Sequence, residues 1–126
     1  MRSKVDQAVK IREGQSLNTD SLETYLRNNM QLPNANIEVL QFPSGYSNLT
    51  YLLKFGEKEL VLRRPPKGVN IKSGHDMHRE FRILSGLHPI YSKVPKPYLF
   101  CDDERILGAP FYVMERLRGI IYRGHT

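Results

Sequence analysis

Leu49, Tyr51, Leu53 and Phe55 alternate with Thr50, Leu52 and Lys54, and Gly56-Glu57-Lys58 then interrupts the pattern. Glu59–Arg63 resumes it until Pro65-Pro66. A period of two marks a pleated, half-buried strand and excludes a helix, whose period is 3.6. A glycine-containing turn between two such runs joins them as an antiparallel hairpin. A lone hairpin is marginal in water, so this one needs further strands or a helix against its apolar surface.

The remaining elements are arranged around it. Asp20-Ser21-Leu22-Glu23 has the pattern of a helix start, with Asp20 accepting from a free amide and Glu23 reaching back. Leu22, Tyr25 and Leu26 then form one apolar stripe, ended by Asn28-Asn29 and Pro33. Ile37–Phe42 is a strand, broken at Pro43-Ser44-Gly45. Ser73-Gly74-His75-Asp76 repeats the capping pattern and opens a second helix that runs to about Gly86 or Leu87. Tyr98–Cys101 and Phe111–Leu117 are two more strands, separated by Asp102-Asp103-Glu104 and Gly108-Ala109-Pro110. The order of helix, three strands, helix and two strands suits an α+β fold, an antiparallel sheet of about five strands with a packed helix. Residues 1–35 read as an N-terminal arm and helix, 36–120 as the sheet-bearing lobe and 121–126 as a tail.

At 126 residues the chain can bury a real core as one domain. Its apolar runs are at most four residues long, which excludes a membrane-spanning helix and the apolar part of a secretory signal. The one cysteine, Cys101, excludes an internal disulfide framework and a cysteine-based zinc cluster, so a reducing cytoplasm is the expected location. The net charge of +6 is concentrated between Lys58 and Lys96, where nine basic residues face three acidic ones. Such a basic middle attracts phosphate, whether on a nucleotide, a nucleic acid or a membrane surface.

Two residues resist a purely structural explanation. On a helical wheel Met77, Phe81, Leu84 and Leu87 define a buried arc while Arg79 and Arg82 point away, and Glu80 falls inside the apolar arc. A carboxylate there has to neutralise, find a cation or reach water past the edge of the stripe. Seventeen residues earlier, Arg63 ends a mostly apolar strand and shares a face with Val61, opposite Leu60 and Leu62. An ion pair between Arg63 and Glu80 meets both demands; a merely polar strand end at Arg63-Arg64 is the alternative. The small-residue loop Ser44-Gly45-Tyr46-Ser47-Asn48 could lay backbone amides over phosphates, although no GxGxxG or Walker A sequence occurs.

Four stretches in register carry a family resemblance: Phe42–Tyr51, Leu60–Pro66, His75–Arg82 and Gly108–Glu115. Over roughly residues 37–120 the chain resembles the aminoglycoside phosphotransferases, in particular the branch fused to, or encoded beside, acyl-CoA dehydrogenases. The resemblance implies a protein-kinase-like N-lobe that binds ATP for transfer to a small-molecule hydroxyl, with a hydroxyacyl compound favoured over an antibiotic. It places Gly45, Tyr46, Ser47 and Asn48 over the ATP phosphates and Arg63 on the α and β phosphates, with Glu80 orienting it. Val61 packs on the adenine ring, Met114 borders its pocket, and Glu115 and Leu117 meet the adenine edge through their backbone. Arg63 stands where most kinases place a lysine; it keeps the charge but differs in bulk and geometry.

In this family the catalytic and metal-binding acidic residues lie in a larger C-terminal lobe. No acidic residue follows Glu115, so the chain is expected to be non-catalytic alone, with Mg2+ bound only where that lobe is present. Its expected partners are ATP, the C-terminal lobe or another protein covering the exposed apolar face, and an acyl-CoA dehydrogenase. A free-standing adaptor lobe is the alternative. A basic nucleic-acid module is less favoured because no RRM, KH or helix-turn-helix pattern occurs and the aromatics fall on strand positions. His75 and His78 have helical spacing but no patterned third metal ligand.

Overall fold

In the computed structural model, which describes residues 17–42, 49–65, 71–91 and 93–117, the hairpin lies inside a five-stranded antiparallel sheet. The strands are β1 (Ile37–Gln41), β2 (Leu49–Phe55), β3 (Lys58–Arg64), β4 (Pro97–Cys101) and β5 (Phe111–Glu115), in the spatial order β1-β2-β3-β5-β4. Among the described residues three helices accompany them: α1 (Thr19–Asn29), α2 (Ile71–Leu87) and the single turn α3 (Glu104–Leu107). The α+β order and the five antiparallel strands are those expected from the sequence.

The β2–β3 hairpin is closed by Gly56 and Glu57 between the paired Phe55 and Lys58. Gly56 has a φ of 63°, and no other residue of this turn has a positive φ, which is the backbone of a II′ turn with glycine at its first central position. In register, Leu52 faces Val61 and Thr50 faces Arg63. β5 then inserts beside β3, with Val61 opposite Met114 and Arg63 opposite Tyr112.

Both faces of the sheet are covered, so β2 is buried almost throughout rather than half-buried as its alternation suggests. On one face Tyr51, Leu53, Phe55, Leu60, Leu62, Phe111 and Val113 pack with Leu22 and Leu26 of α1. Each of these two leucines is fully buried, which contributes about 2 kcal/mol apiece and makes α1 part of the core. Arg27 clamps the connection to β1: it pairs with Glu23 at 3.0 Å and donates to the carbonyls of Pro33 and Ala35 at 3.1 and 2.7 Å. On the other face Leu52, Val61, Tyr112 and Met114 meet Met77 and, less deeply, Phe81 and Leu84 of α2.

The local readings shift at several ends. Asn18, not Asp20, caps α1, its side chain accepting from the Ser21 amide at 3.1 Å. α2 begins at Ile71, so Ser73 and Gly74 lie within its first turns, and the Ser73 capping pattern does not mark its start. Leu87 is 42% exposed instead of completing the buried arc; Leu84 is the last residue of that arc packed against the sheet-face cluster. β1 and β5 stop at Gln41 and Glu115, short of Phe42 and Leu117. The acidic connection after β4 forms α3, with Asp103 as its N-cap and Gly108 (φ 83°) closing its C-terminus. No described helix is long and apolar enough to cross a membrane.

Candidate functional site

Strand alternation and antiparallel register build two rows on the α2 face of the sheet. Leu52, Val61 and Met114 lie side by side across β2, β3 and β5. Thr50, Arg63 and Tyr112 form the next row, two residues along each strand and hence about 7 Å away. An apolar platform is thus set against a row that carries a guanidinium and two hydroxyls. Val61 and Met114 are 0% and 3% exposed.

Arg63 is held by α2. Its Nη1 donates to Oε1 of Glu80 at 2.6 Å, across seventeen positions of sequence. The wheel expectation for Glu80 therefore has its cation: the carboxylate enters the apolar side of α2 because a strand arginine meets it there. Side-chain exposure is 10% for Arg63 and 27% for Glu80, so the pair is partly withdrawn from water, where charge-assisted bonds are stronger.

Tyr112 is the member of this cluster that sequence reasoning missed. Its hydroxyl donates to the same Oε1 of Glu80 at 2.8 Å. Burial pushes the Tyr112 phenol far above its ordinary value; the Arg63 charge opposes this and Glu80 adds to it. The phenol therefore remains an O–H donor. The signal lies in β5, where a period of two places Tyr112 on the same face as Met114; the pairing with β3 then sets it directly opposite Arg63. Thr50 carries no sequence signal of its own, yet it is fully buried in the same row, and its Oγ1 has no hydrogen-bond partner among the described residues.

Arg64 is not a solvated strand end either. It turns to the opposite face, 4% exposed. There it donates to the Tyr51 hydroxyl at 3.1 Å and to the Leu107 carbonyl at 3.4 Å, tying α3 to the sheet. Adjacent arginines thus have unrelated duties because successive strand residues face opposite ways.

At the end of β5, Glu115 bonds through its amide to the Lys96 carbonyl at 2.8 Å and through Oε1 to the Lys96 amide at 3.1 Å. Leu117 lies just past the strand, and Arg116 sits over the Phe42 ring at 4.9 Å. Gly45, Tyr46, Ser47 and Asn48 lie outside the described residues, as do the N-terminal arm before Leu17 and the tail. The structure therefore brings together Val61, Arg63, Glu80 and Met114, with Glu115 and Leu117 at the exit of β5.

His78 packs against Phe100 with ring centroids 4.7 Å apart and the planes tilted by 36°. Among the described residues no group of three or more His, Cys, Asp or Glu side chains is placed to hold a metal ion. A cleft of about 540 Å³ opens on the outer side of α2, lined by His78, Arg79, Arg82 and Ile83. It shares no residue with the two rows.

Comparison with known proteins places this geometry. Residues 38–126 match the phosphotransferase enzyme family (APH). The chain is 39% identical over 114 residues to acyl-CoA dehydrogenase family member 10 of Mus musculus, covering 90% of this chain and 11% of that protein. It is 37% identical over 110 residues to acyl-CoA dehydrogenase family member 11 of Homo sapiens, covering 84% of this chain and 14% of that protein. A crystal structure from Ralstonia eutropha, assigned to the aminoglycoside phosphotransferases, superposes with a TM-score of 0.69 and 29% identity over 85% of this chain and 30% of that one. The chain thus spans under a third of each of these proteins. Its sheet, with α2 carrying the glutamate that holds the β3 arginine, is the kinase-like N-lobe fold, and the chain belongs to the phosphotransferase enzyme family.

Proposed function

We propose that this chain is the nucleotide-binding lobe of an ATP-dependent phosphotransferase that acts on the hydroxyl of a small molecule. One observation supports the reading above others: a buried arginine, held at 2.6 Å by a helix carboxylate, lies one row away from an apolar platform. Arg63 would hold the α and β phosphates, and Val61 and Met114 would border the adenine, with the backbone of Glu115 and Leu117 at its edge. The residues 45–48 would cover the phosphates. ATP supplies the phosphoryl group; this chain's own residues bind and orient it by charge and by exclusion of water. Mg2+ and the general base belong, in this reading, to residues of a C-terminal lobe.

The acyl-CoA dehydrogenase names of the relatives favour a hydroxyacyl acceptor and an acyl-CoA dehydrogenase as partner. A second reading, an adaptor lobe that binds a protein, is favoured by one feature: Ile83, Leu87, Ile90 and Tyr91 are 53%, 42%, 84% and 53% exposed on α2 and its C-terminal extension.

Calorimetric titration of the native polypeptide with ATP tests the first reading. Arg63→Ala should weaken ATP binding about 10- to 100-fold, the loss of a charge-assisted contact. Arg82→Ala, on the outer side of α2, should leave it unchanged. Equal effects from the two substitutions, or no ATP binding by the native protein, would refute the assignment and favour the adaptor.

A further inference from the structure

We propose that Tyr112 is a positioning residue of the nucleotide site, orienting Arg63 toward phosphate by holding the Glu80 carboxylate from the β5 side. The inference rests on the reading of Arg63 as the phosphate-binding cation. It arises from a feature of the cluster: one carboxylate oxygen, Oε1 of Glu80, receives both the Arg63 guanidinium at 2.6 Å and the Tyr112 hydroxyl at 2.8 Å.

Three elements therefore meet at a single atom. β3 brings the arginine, α2 the glutamate and β5 the tyrosine, and β3 and β5 are locked in register with Arg63 directly opposite Tyr112. A glutamate on a helix has three side-chain torsions, and a contact with a flexible arginine alone leaves the pair free to swing together. The tyrosine restricts that freedom from the β5 side. Tyr112 is 1% exposed and its ring packs against Phe81 at 5.9 Å between centroids, which restricts the movement of its hydroxyl. Phe81 follows Glu80 on α2, and the same helix thus supplies both the wall that fixes the tyrosine and the carboxylate that the tyrosine fixes. Burial raises the pKa of the phenol, so at neutral pH the hydroxyl keeps the proton that it donates to Glu80. Tyr112 acts on the nucleotide only through Glu80 and Arg63.

Tyr112→Phe retains the ring and removes only the donor. In the native polypeptide, ATP and adenosine affinities are measured for wild type, Tyr112→Phe, Arg63→Ala and the double variant, with thermal melting as a check on folding. Tyr112→Phe should weaken ATP about 3- to 10-fold and leave adenosine unchanged, because only the phosphate contact is misaligned. In the Arg63→Ala background it should have no further effect on ATP. Unchanged ATP affinity in Tyr112→Phe, while Arg63→Ala still weakens it, overturns this inference and leaves the nucleotide reading intact. Equal losses for ATP and adenosine, or the same loss with and without Arg63, show a merely structural tyrosine and overturn it too. Failure of the wild type to bind ATP overturns the nucleotide reading and this inference with it.

Discussion

Glu80→Leu offers a quantitative test of how the Arg63–Glu80 pair is built into the fold. Removing one partner of a fully buried ion pair costs about 3–5 kcal/mol, because the remaining charge is left without compensation. Here Arg63 is 10% exposed, but Glu80 keeps 27% of its side chain accessible, so water already relieves part of the cost of ionisation. The expected cost of Glu80→Leu is therefore about 2–3 kcal/mol, less than for a deeply buried pair and well above that of a surface one, about 0–1 kcal/mol. Arg63→Met should cost less, about 1–2 kcal/mol, since the glutamate it abandons can still reach solvent. The double substitution replaces both charges by apolar groups of similar length. It should cost at least about 1.5 kcal/mol less than the sum of the single changes. Urea unfolding of the chain reads this directly: a loss of about 2–3 kcal/mol moves the midpoint by on the order of 1–2 M at constant slope. Single costs that add within about 0.5 kcal/mol would show that the two groups are not energetically coupled, whatever their separation. The premise that α2 and β3 are fastened by charge would then fail.

Two further predictions concern residues outside that pair. Thr50→Val keeps the β-branched shape and deletes a fully buried hydroxyl that has no hydrogen-bond partner among the described residues; it should stabilise the protein by about 1 kcal/mol, seen as a higher melting temperature, and a loss of stability would mean that the hydroxyl has an essential polar contact. The Asp103 carboxyl is held down to about 2 by the Arg105 side chain and then by the Arg105 amide; because its folded value lies below the unfolded one of about 3.9, its support for the α3 cap is present above that value and is lost as pH falls through about 2. Carbon-detected titration of the Asp103 carboxyl should show this low midpoint, and a midpoint near 4 would refute the cap.

The fold was legible wherever a local pattern carried the information. Alternation located β1, β2 and β3, and apolar runs bounded by turn residues located β4 and β5, all within about two residues at each end; Pro65-Pro66 and Gly56 set the limits of the hairpin. The helical wheel isolated Glu80 as a carboxylate out of place, and strand alternation put Arg63 on the face where it could answer. The errors have a common origin. A wheel gives the angle of Leu87 but not whether another element covers that position, and it is left 42% exposed. A capping pattern at Ser73 can equally sit inside a helix that nucleates earlier. The turn at Glu104–Leu107 is too short for periodicity to reveal; only its flanking Asp103 and Gly108 hint at it.

The sequence by itself thus determined the elements, the chemical types within them and the demand for a counter-charge, because propensity, period and burial of charge are properties of short segments. Which residues stand beside one another was decided by the tertiary structure. β5 lies next to β3 although α2, β4 and α3 intervene in the chain, and that non-local pairing is what sets Tyr112 opposite Arg63 and Met114 opposite Val61. The two rows of the site, and the carboxylate oxygen shared by an arginine and a tyrosine, exist only once that strand has been inserted, since no local rule specifies the register of strands so far apart in the chain.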